Sequence, residues 1–504
     1  MATARTSGAG PATVSGAQPG PNGPEPNWPE LNWPLVICGY FALQVAWRRL
    51  LGGGLNLDEA EILLWSRQLA LGYGPQPPLY SWLQWGFLKL VPDPLLALSL
   101  LKNLALAATY LAVWRLLRSA HPARVAGPAA LALFLIPQIS WESQRDLTHS
   151  VLATALAAAT VLVFVTRTLA GARGGWALLG LLTGLGLLAK PNVLIVPAAL
   201  VLAALTLAEL RSRISVVGLL LAAAIAAALV ALPLRWALAH PELAFASAHK
   251  LQMAEAGGAA AVAGLAALAR ALVDLLALSL LVAGGILLLL RRRERETPGP
   301  WTTLDRLILR AVLIGLAMAA AGVLLSGTTN IRRLWLLPVV YLAAPLVAVR
   351  LLQAIGAGGA RALLRTIGVL AVVVFVALGI NIRYGEPGNP ALNRAPVAAL
   401  ADDIAARFPG AERIVAAPSW LAGNLVYLRP DLPVVGTDDP GAPPADGAQV
   451  VAVWWDGDRG GQITDALGRR WGGPVALRPA GRVTRAFPLQ PDEPFDADLA
   501  EVVR

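Results

Sequence analysis

The sequence predicts an all-α polytopic membrane protein of about eleven transmembrane helices, carrying a small C-terminal α/β domain on the external side. Three observations lead there. Hydrophobic residues make up 56% of the 504 and charged residues 14%, whereas a soluble domain carries about 25% charged residues. The apolar residues gather into runs of about 20, the length that spans hydrocarbon as a helix. Beyond residue 384 those runs shrink to strand size between Pro, Gly and Asp residues.

Taken in order, residues 1–30 are rich in Gly, Pro, Ala and Ser, with almost no charge and too little apolar surface to fold. They are expected to form a disordered cytosolic tail. No basic region leads directly into the first apolar run, so that helix is expected to remain as an anchor. Apolar segments follow near 33–51, 94–116, 125–141, 147–167, 175–189, 192–209, 215–234, 271–290, 306–325, 334–350 and 363–382. A break or tight turn is expected at Lys190-Pro191-Asn192. The loop 235–270 holds His240, Glu242, His249, Lys250 and an Ala/Gly-rich run over 254–264, and reads as an external loop with an interfacial helix. In the C-terminal part, a helix over 394–408 starting near Pro396 and strands at 414–417, 432–435 and 450–455 suggest an α/β domain. The single cysteine, Cys38, excludes a disulfide framework and a Cys-based metal site.

The net charge of +10 does not point to nucleic acid, because the basic residues punctuate apolar runs instead of forming one patch interleaved with aromatics. Alternating the loops collects Arg115, Arg118, Arg124, Arg167, Arg173, Arg211 and Arg213 on one side. The same side receives Arg291, Arg292, Arg293, Arg295, Arg350, Arg361 and Arg365. By the positive-inside rule that side is the cytoplasm. The other face receives the acids near residue 58, the stretch 141–146, Lys190, loop 235–270, Arg332, Arg333 and everything after Arg383. Polar groups at membrane depth are usually functional, so their convergence marks the candidate site.

The stretch 55–82 is the first polar interruption after the first span, and it carries Asp58, Glu59 and Glu61. Two readings compete for Asp58. As an N-cap with Glu61 three residues on, it would close a capping box. Alternatively, Asp58, Ile62, Trp65 and Leu69 share one helical stripe, and a carboxylate held against packed protein has the raised basicity of a general base. Asp146 has the same ambiguity: Ser143 and Asp146 fit a capping pattern, while His149 shares the helix face. Lys190 suits either snorkelling or an anion. The pair Arg332 and Arg333 lies on the external side, where arginines are unusual, and a forked guanidinium fits a phosphate.

The acidic pair Asp58-Glu59 after the first span, the ending Leu71-Gly72-Tyr73, and Pro77-Pro78-Leu79 together resemble glycosyltransferase family 39. These are bacterial relatives of protein mannosyltransferases and of the lipid A aminoarabinose transferase. Gly184-x-x-x-Leu188-x-Lys190 resembles the family's lysine motif, and Arg332-Arg333-Leu334-Trp335-Leu336-Leu337-Pro338 matches its arginine motif imperfectly. The resemblance implies a GT-C fold in the bacterial inner membrane, with a cytoplasmic N-terminus and a periplasmic C-terminal domain. It implies a sugar donor on a polyprenyl phosphate and a lipid A, glycan or protein acceptor. Asp58, Glu59 and Asp146 are then the candidate catalytic acids, and Lys190, Arg332, Arg333, His149 and Tyr73 the candidate substrate-binding residues. Two acids and one histidine give thin support for a divalent metal, which is left open with no ligands assigned. The rival reading is a transporter or flippase, although no clear internal repeat is present.

Overall fold

Helix α1 (Trp33–Leu51) begins where Asn32 Oδ1 accepts the Leu35 N–H at 3.2 Å, with proline in its first turn. It ends at Gly52, whose φ of 57° suits glycine. The chain is seen here in a computed structural model describing residues 31–246, 252, 258–290, 298–386, 389–445, 447–455 and 457–503. The expected tail over 1–30, His249, Lys250, Arg291, Arg292, Arg293 and Arg295 lie outside the described residues.

After α1 come α2 (Leu57–Trp65), α3 (Leu79–Leu90), α4 (Pro94–Leu117) and α5 (Ala123–Leu131). The expected straight span over 125–141 is instead bent by 78° between Ala123–Leu135 and Gln138–Arg145. Ile136 is extended there (φ −98°, ψ 107°), as the residue before a proline, Pro137, tends to be. The bend leads into α6 (Ser143–Arg145), α7 (His149–Val163), α8 (Gly175–Ala189), α9 (Ile195–Leu205), α10 (Ala208–Arg211), α11 (Val216–Ala239) and α12 (Pro241–Ala244). Then follow α13 (Gly258–Leu289), α14 (Thr303–Ser326), α15 (Arg333–Val340) and α16 (Ala343–Tyr384).

Among the described residues, six helices are long and apolar enough to cross a membrane, or seven if the bent pair is one span. The other expected spans are helical in large part but short. Helix α8, with 15 residues, reaches only about 22 Å at 1.5 Å per residue, less than the roughly 30 Å of hydrocarbon. Two boundaries differ from expectation. The Ala/Gly-rich run, from Gly258 onward, is not interfacial loop but the first turns of α13. The segment expected at 334–350 is split between α15 and the start of the 42-residue α16, which also takes in 363–382 and turns at Gly356 (φ 59°, ψ −142°).

The C-terminal part contains α17 (Val397–Arg407), β1 (Arg413–Ala417), α18 (Ser419–Leu428), β2 (Val434–Gly436), β3 (Val450–Trp455), α19 (Gly460–Trp471), β4 (Ala476–Phe487) and β5 (Gln490–Val503). The sheet order is β2-β1-β3-β5-β4, with β1 parallel to β2 and β3, and β5 antiparallel to β3 and β4.

Two large apolar cores result. One fills the helical bundle around α4, α5, α7 and α16. The other joins Leu55, Ile62 and Tyr80, from the segment that follows α1, to Val397, Trp420, Leu425 and Phe495 of the sheet domain. The junction is tight. A Cβ on Gly423 would sit 2.2 Å from the Ala60 carbonyl oxygen, so only glycine lets α18 lie against α2. Asn424 Oδ1 accepts the Leu55 N–H at 2.8 Å, while Trp420 Nε1 and Asn424 Nδ2 donate to the Leu55 carbonyl at 2.9 and 3.1 Å. The stretch 418–425 therefore holds the loop that carries Asp58.

Candidate functional site

The capping frame of α2 starts two residues earlier than the sequence suggested. Asn56 is the N-cap and Glu59 the N3 residue that reaches back, its Oε2 accepting the Asn56 N–H at 3.2 Å. Asp58 therefore does not cap the helix, and Glu61 is not its reciprocal partner. The correction frees Asp58 for the cavity beside it.

That cavity, about 720 Å³, is lined by Asp58, Glu61, His149, Ser150, Lys190, Arg332 and Trp335 on its polar side. Leu187, Leu188, Val230, Pro233, Leu234 and Leu334 form an apolar flank. Pro75, Pro77 and Pro78 of the first loop complete the rim. Its size falls within the usual range for small-molecule sites. Thr148 Oγ1 donates to Asp58 Oδ2 at 3.4 Å, and Lys190 Nζ donates to Ser150 Oγ at 2.7 Å. Burial pushes the Asp58 carboxyl up to about 6; the Asp146 carboxylate adds to the rise, and Lys102 and Lys190 oppose it. Both ring nitrogens of His149 are buried without a hydrogen-bond partner, and its ring lies 5.4 Å from that of Tyr80.

The other candidates are placed elsewhere. Glu59 is 1% exposed and pairs with Arg48 at 2.9 Å and Lys102 at 3.3 Å. Burial alone would raise its carboxyl, but Arg48 and Lys102 hold it down at about 2. Fully paired and behind the cavity wall, Glu59 is placed to fix the loop, not to exchange a proton. Asp146 pairs with Arg145 at 3.3 Å and is not among the cavity-lining residues. Burial raises its carboxyl, against the lowering effect of Arg145. Arg333 is drawn away by Glu142 at 2.6 Å and Asp274 at 3.7 Å, which separates it from the cavity-lining Arg332. The Tyr73 hydroxyl accepts the Ala70 N–H at 2.8 Å and donates to the Gln68 carbonyl at 2.7 Å. Tyr73 thus shapes the loop and lines a different cavity.

Sequence reasoning missed Lys102 and Arg48, the cations that neutralise Glu59. Lys102 was detectable: it sits 2% exposed inside the apolar α4, where an unpaired cation would be costly. Its ammonium also donates to the Gln144 carbonyl at 3.2 Å, and Gln144 donates to Asn103 at 2.8 Å. This network ties α1, α2, α4 and the bend before Asp146 into one frame. Among the described residues no group of three or more His, Cys, Asp or Glu side chains could hold a metal ion.

Known proteins similar to this chain indicate its family and fold. Residues 75–236 match the family described as Dolichyl-phosphate-mannose-protein mannosyltransferase. The chain is 34% identical over 423 residues to the lipopolysaccharide core galacturonosyltransferase RgtB of Rhizobium johnstonii, covering 81% of this chain and 83% of that protein. It is 32% identical over 450 residues to RgtA of the same organism, covering 86% and 88%. Among solved structures, ArnT from Cupriavidus metallidurans bound to undecaprenyl phosphate superposes with a TM-score of 0.58 at 14% identity, over 93% of this chain and 97% of that one. The likeness to ArnT shows the fold. With the two relatives matched over most of their length, the chain belongs to the family of the lipopolysaccharide core galacturonosyltransferases, and it is a membrane glycosyltransferase of the GT-C type.

Proposed function

We propose that this enzyme transfers a uronic acid residue from a polyprenyl-phosphate carrier to a hydroxyl of a lipopolysaccharide core saccharide, with inversion at the anomeric carbon. The observation that carries the reading is one cavity of about 720 Å³ lined by an acid, Asp58, and two cations, Lys190 and Arg332, beside an apolar flank. The flank suits a prenyl chain. The cations suit its phosphate, the group that gains charge as the glycosidic bond breaks.

Asp58 accepts the proton of the acceptor hydroxyl while that oxygen attacks the anomeric carbon in line. The bond from the anomeric carbon to the phosphate oxygen breaks, and the polyprenyl phosphate leaves as an anion beside Lys190 and Arg332. Asp146 acts on Asp58 through its charge, which keeps the base from being too weakly basic. His149 lines the wall, Tyr73 shapes the loop beside it, Arg333 braces Glu142 and Asp274, and Glu59 anchors the loop. The relatives' names supply the sugar and acceptor class, and the ArnT complex supports an undecaprenyl-type carrier. In this reading the enzyme sits in the inner membrane with its cavity toward the periplasm, in keeping with the lipopolysaccharide-core acceptors named for its relatives.

The test is transfer of radiolabelled galacturonic acid from a synthetic polyprenyl-phosphate donor to core oligosaccharide on lipid, using the protein in nanodiscs. Labelled acceptor forms with the native chain and not with Asp58→Asn. Labelled lipid that changes leaflet with no new glycosidic bond would instead support the transport reading.

A further inference from the structure

A second cavity, about 650 Å³, lies at the opposite end of α2 from Asp58. One wall is the end of α2 and the loop after it, including Trp65, Gln68 and Tyr73; the facing wall is the sheet domain, from Glu412 and β2 to Arg470. The two cavities meet at Gly72, Gly74 and Trp236, which line both. Gly72 is essential to that shared wall, since a Cβ there would meet the Trp236 indole at 2.0 Å. His240 stacks on the same indole at 5.0 Å.

The lining is neither a lipid groove nor a simple anion site. Its arginines, Arg67, Arg413 and Arg470, are matched by Glu412, Asp438 and Asp439. Four of these six are pinned in place. Arg67 Nη1 donates to the Val434 carbonyl at 2.8 Å and Arg413 Nη1 to the Ala442 carbonyl at 2.5 Å. Asp438 accepts from Ser419 Oγ at 3.2 Å and Asp439 from Gln68 Nε2 at 3.1 Å. Arg470 and Glu412 have no ion-pair partner among the described residues. Balanced, fixed donors and acceptors beside an indole face match a polyhydroxyl ring, which offers both hydrogen-bonding roles and an apolar C–H face.

We propose that this cavity is a saccharide subsite for the acceptor, and hence that the acceptor is an oligosaccharide with sugars beyond the one being modified. The inference rests on the glycosyl-transfer reading above. The spacing supports it: Asp58 and Trp65 lie seven residues apart on one helix, about 10 Å by helical rise, too far for a single ring to reach both ends. The lining residues common to both cavities, Gly72, Gly74 and Trp236, mark the place where the intervening sugars would cross from one to the other.

The experiment compares two acceptors with the full-length protein in nanodiscs: a complete lipid-linked core oligosaccharide, and one truncated to the reacting sugar. The native enzyme should prefer the complete acceptor, and the double substitution Arg470→Gln with Glu412→Gln should raise its KM about ten-fold, with kcat retained and the preference collapsed. Saturation-transfer NMR with delipidated core oligosaccharide reads the cleft without chemistry, and the double variant should lose the signal. A native enzyme with no preference between acceptors, or a double variant that keeps it, would overturn the proposal. So would absence of saturation transfer to the native chain. Saturation transfer with no sugar transfer to either acceptor would count against the transfer reading alone.

Discussion

Asp58 and Glu59 are neighbours in sequence with opposite electrostatic fates. Asp58 faces a cavity with a carboxyl raised to about 6, while Glu59 is held near 2 by two buried cations. A general base must be deprotonated to work, so transfer should fall as pH drops through about 6 and level off above it. A pH profile of single-turnover transfer checks this; Asp58→Asn should lower the rate at least about 10²-fold at the plateau, with the melting temperature kept. Glu59→Gln should act differently. It strands Arg48 and Lys102 without their counter-charge, and breaking a buried pair costs about 3–5 kcal/mol, read as a large loss of thermal stability in detergent. For the phosphate, Arg332→Ala and Lys190→Ala should each raise the donor KM about ten-fold or more. Arg333→Ala should change it less, because Glu142 and Asp274 already engage that guanidinium. The gathering of Asp58, Lys190 and one arginine of the 332/333 pair was legible in sequence, because charge beside a membrane-length apolar run is conspicuous. Which arginine faces the cavity was not, since it depends on where α15 begins.

At the level of elements, the docking of α18 on α2 was written in the sequence without being readable as such. The stretch 418–425 looks like an ordinary helix start; only the fold reveals that Gly423 admits the Ala60 backbone and that Asn424 serves both polar groups of Leu55. Asn424→Ala should therefore leave the Leu55 N–H unpaired, at a cost of about 1–3 kcal/mol. Gly423→Leu should separate the helices, visible as faster proteolysis of the 52–78 loop together with lost transfer. The expected helix at 396–408 and strands at 414–417, 432–435 and 450–455 appear as α17, β1, β2 and β3, because apolar runs between turn residues signal buried strands. The β4–β5 hairpin escaped that reading. Arg478 pairs with Glu501, Arg482 with Asp498 at 2.7 Å, and Thr484 with Asp496 at 2.6 Å, so charge covers the face that an apolar pattern would have marked. Likewise, Pro137 and Gly356 bend helices whose apolar composition reads as straight spans.

For the whole molecule, the loop after α1 and the sheet domain must occupy the same side of the membrane, since they share one apolar core. In a Cys38→Ser background, cysteines placed at Gln68 and Gln462, both exposed, should react with a membrane-impermeant maleimide added to spheroplasts. One placed at Arg213, on the side assigned to the cytoplasm, should react only after permeabilisation. Labelling of Gln68 and Gln462 positions from different sides would be incompatible with the fold.

The clamp around Leu55 also sets an order of events during biosynthesis. The segment bearing Asp58 is among the earliest to leave the ribosome, whereas Trp420 and Asn424, which grip it, emerge some 365 residues later. Throughout that interval the helices flanking Lys190 and Arg332 can insert and pack, but Asp58 has no firm seat. A ribosome that stalls, or a message cut short, before residue 420 should leave a membrane-embedded chain that has the cavity's cations and lacks the grip on the Asp58 segment.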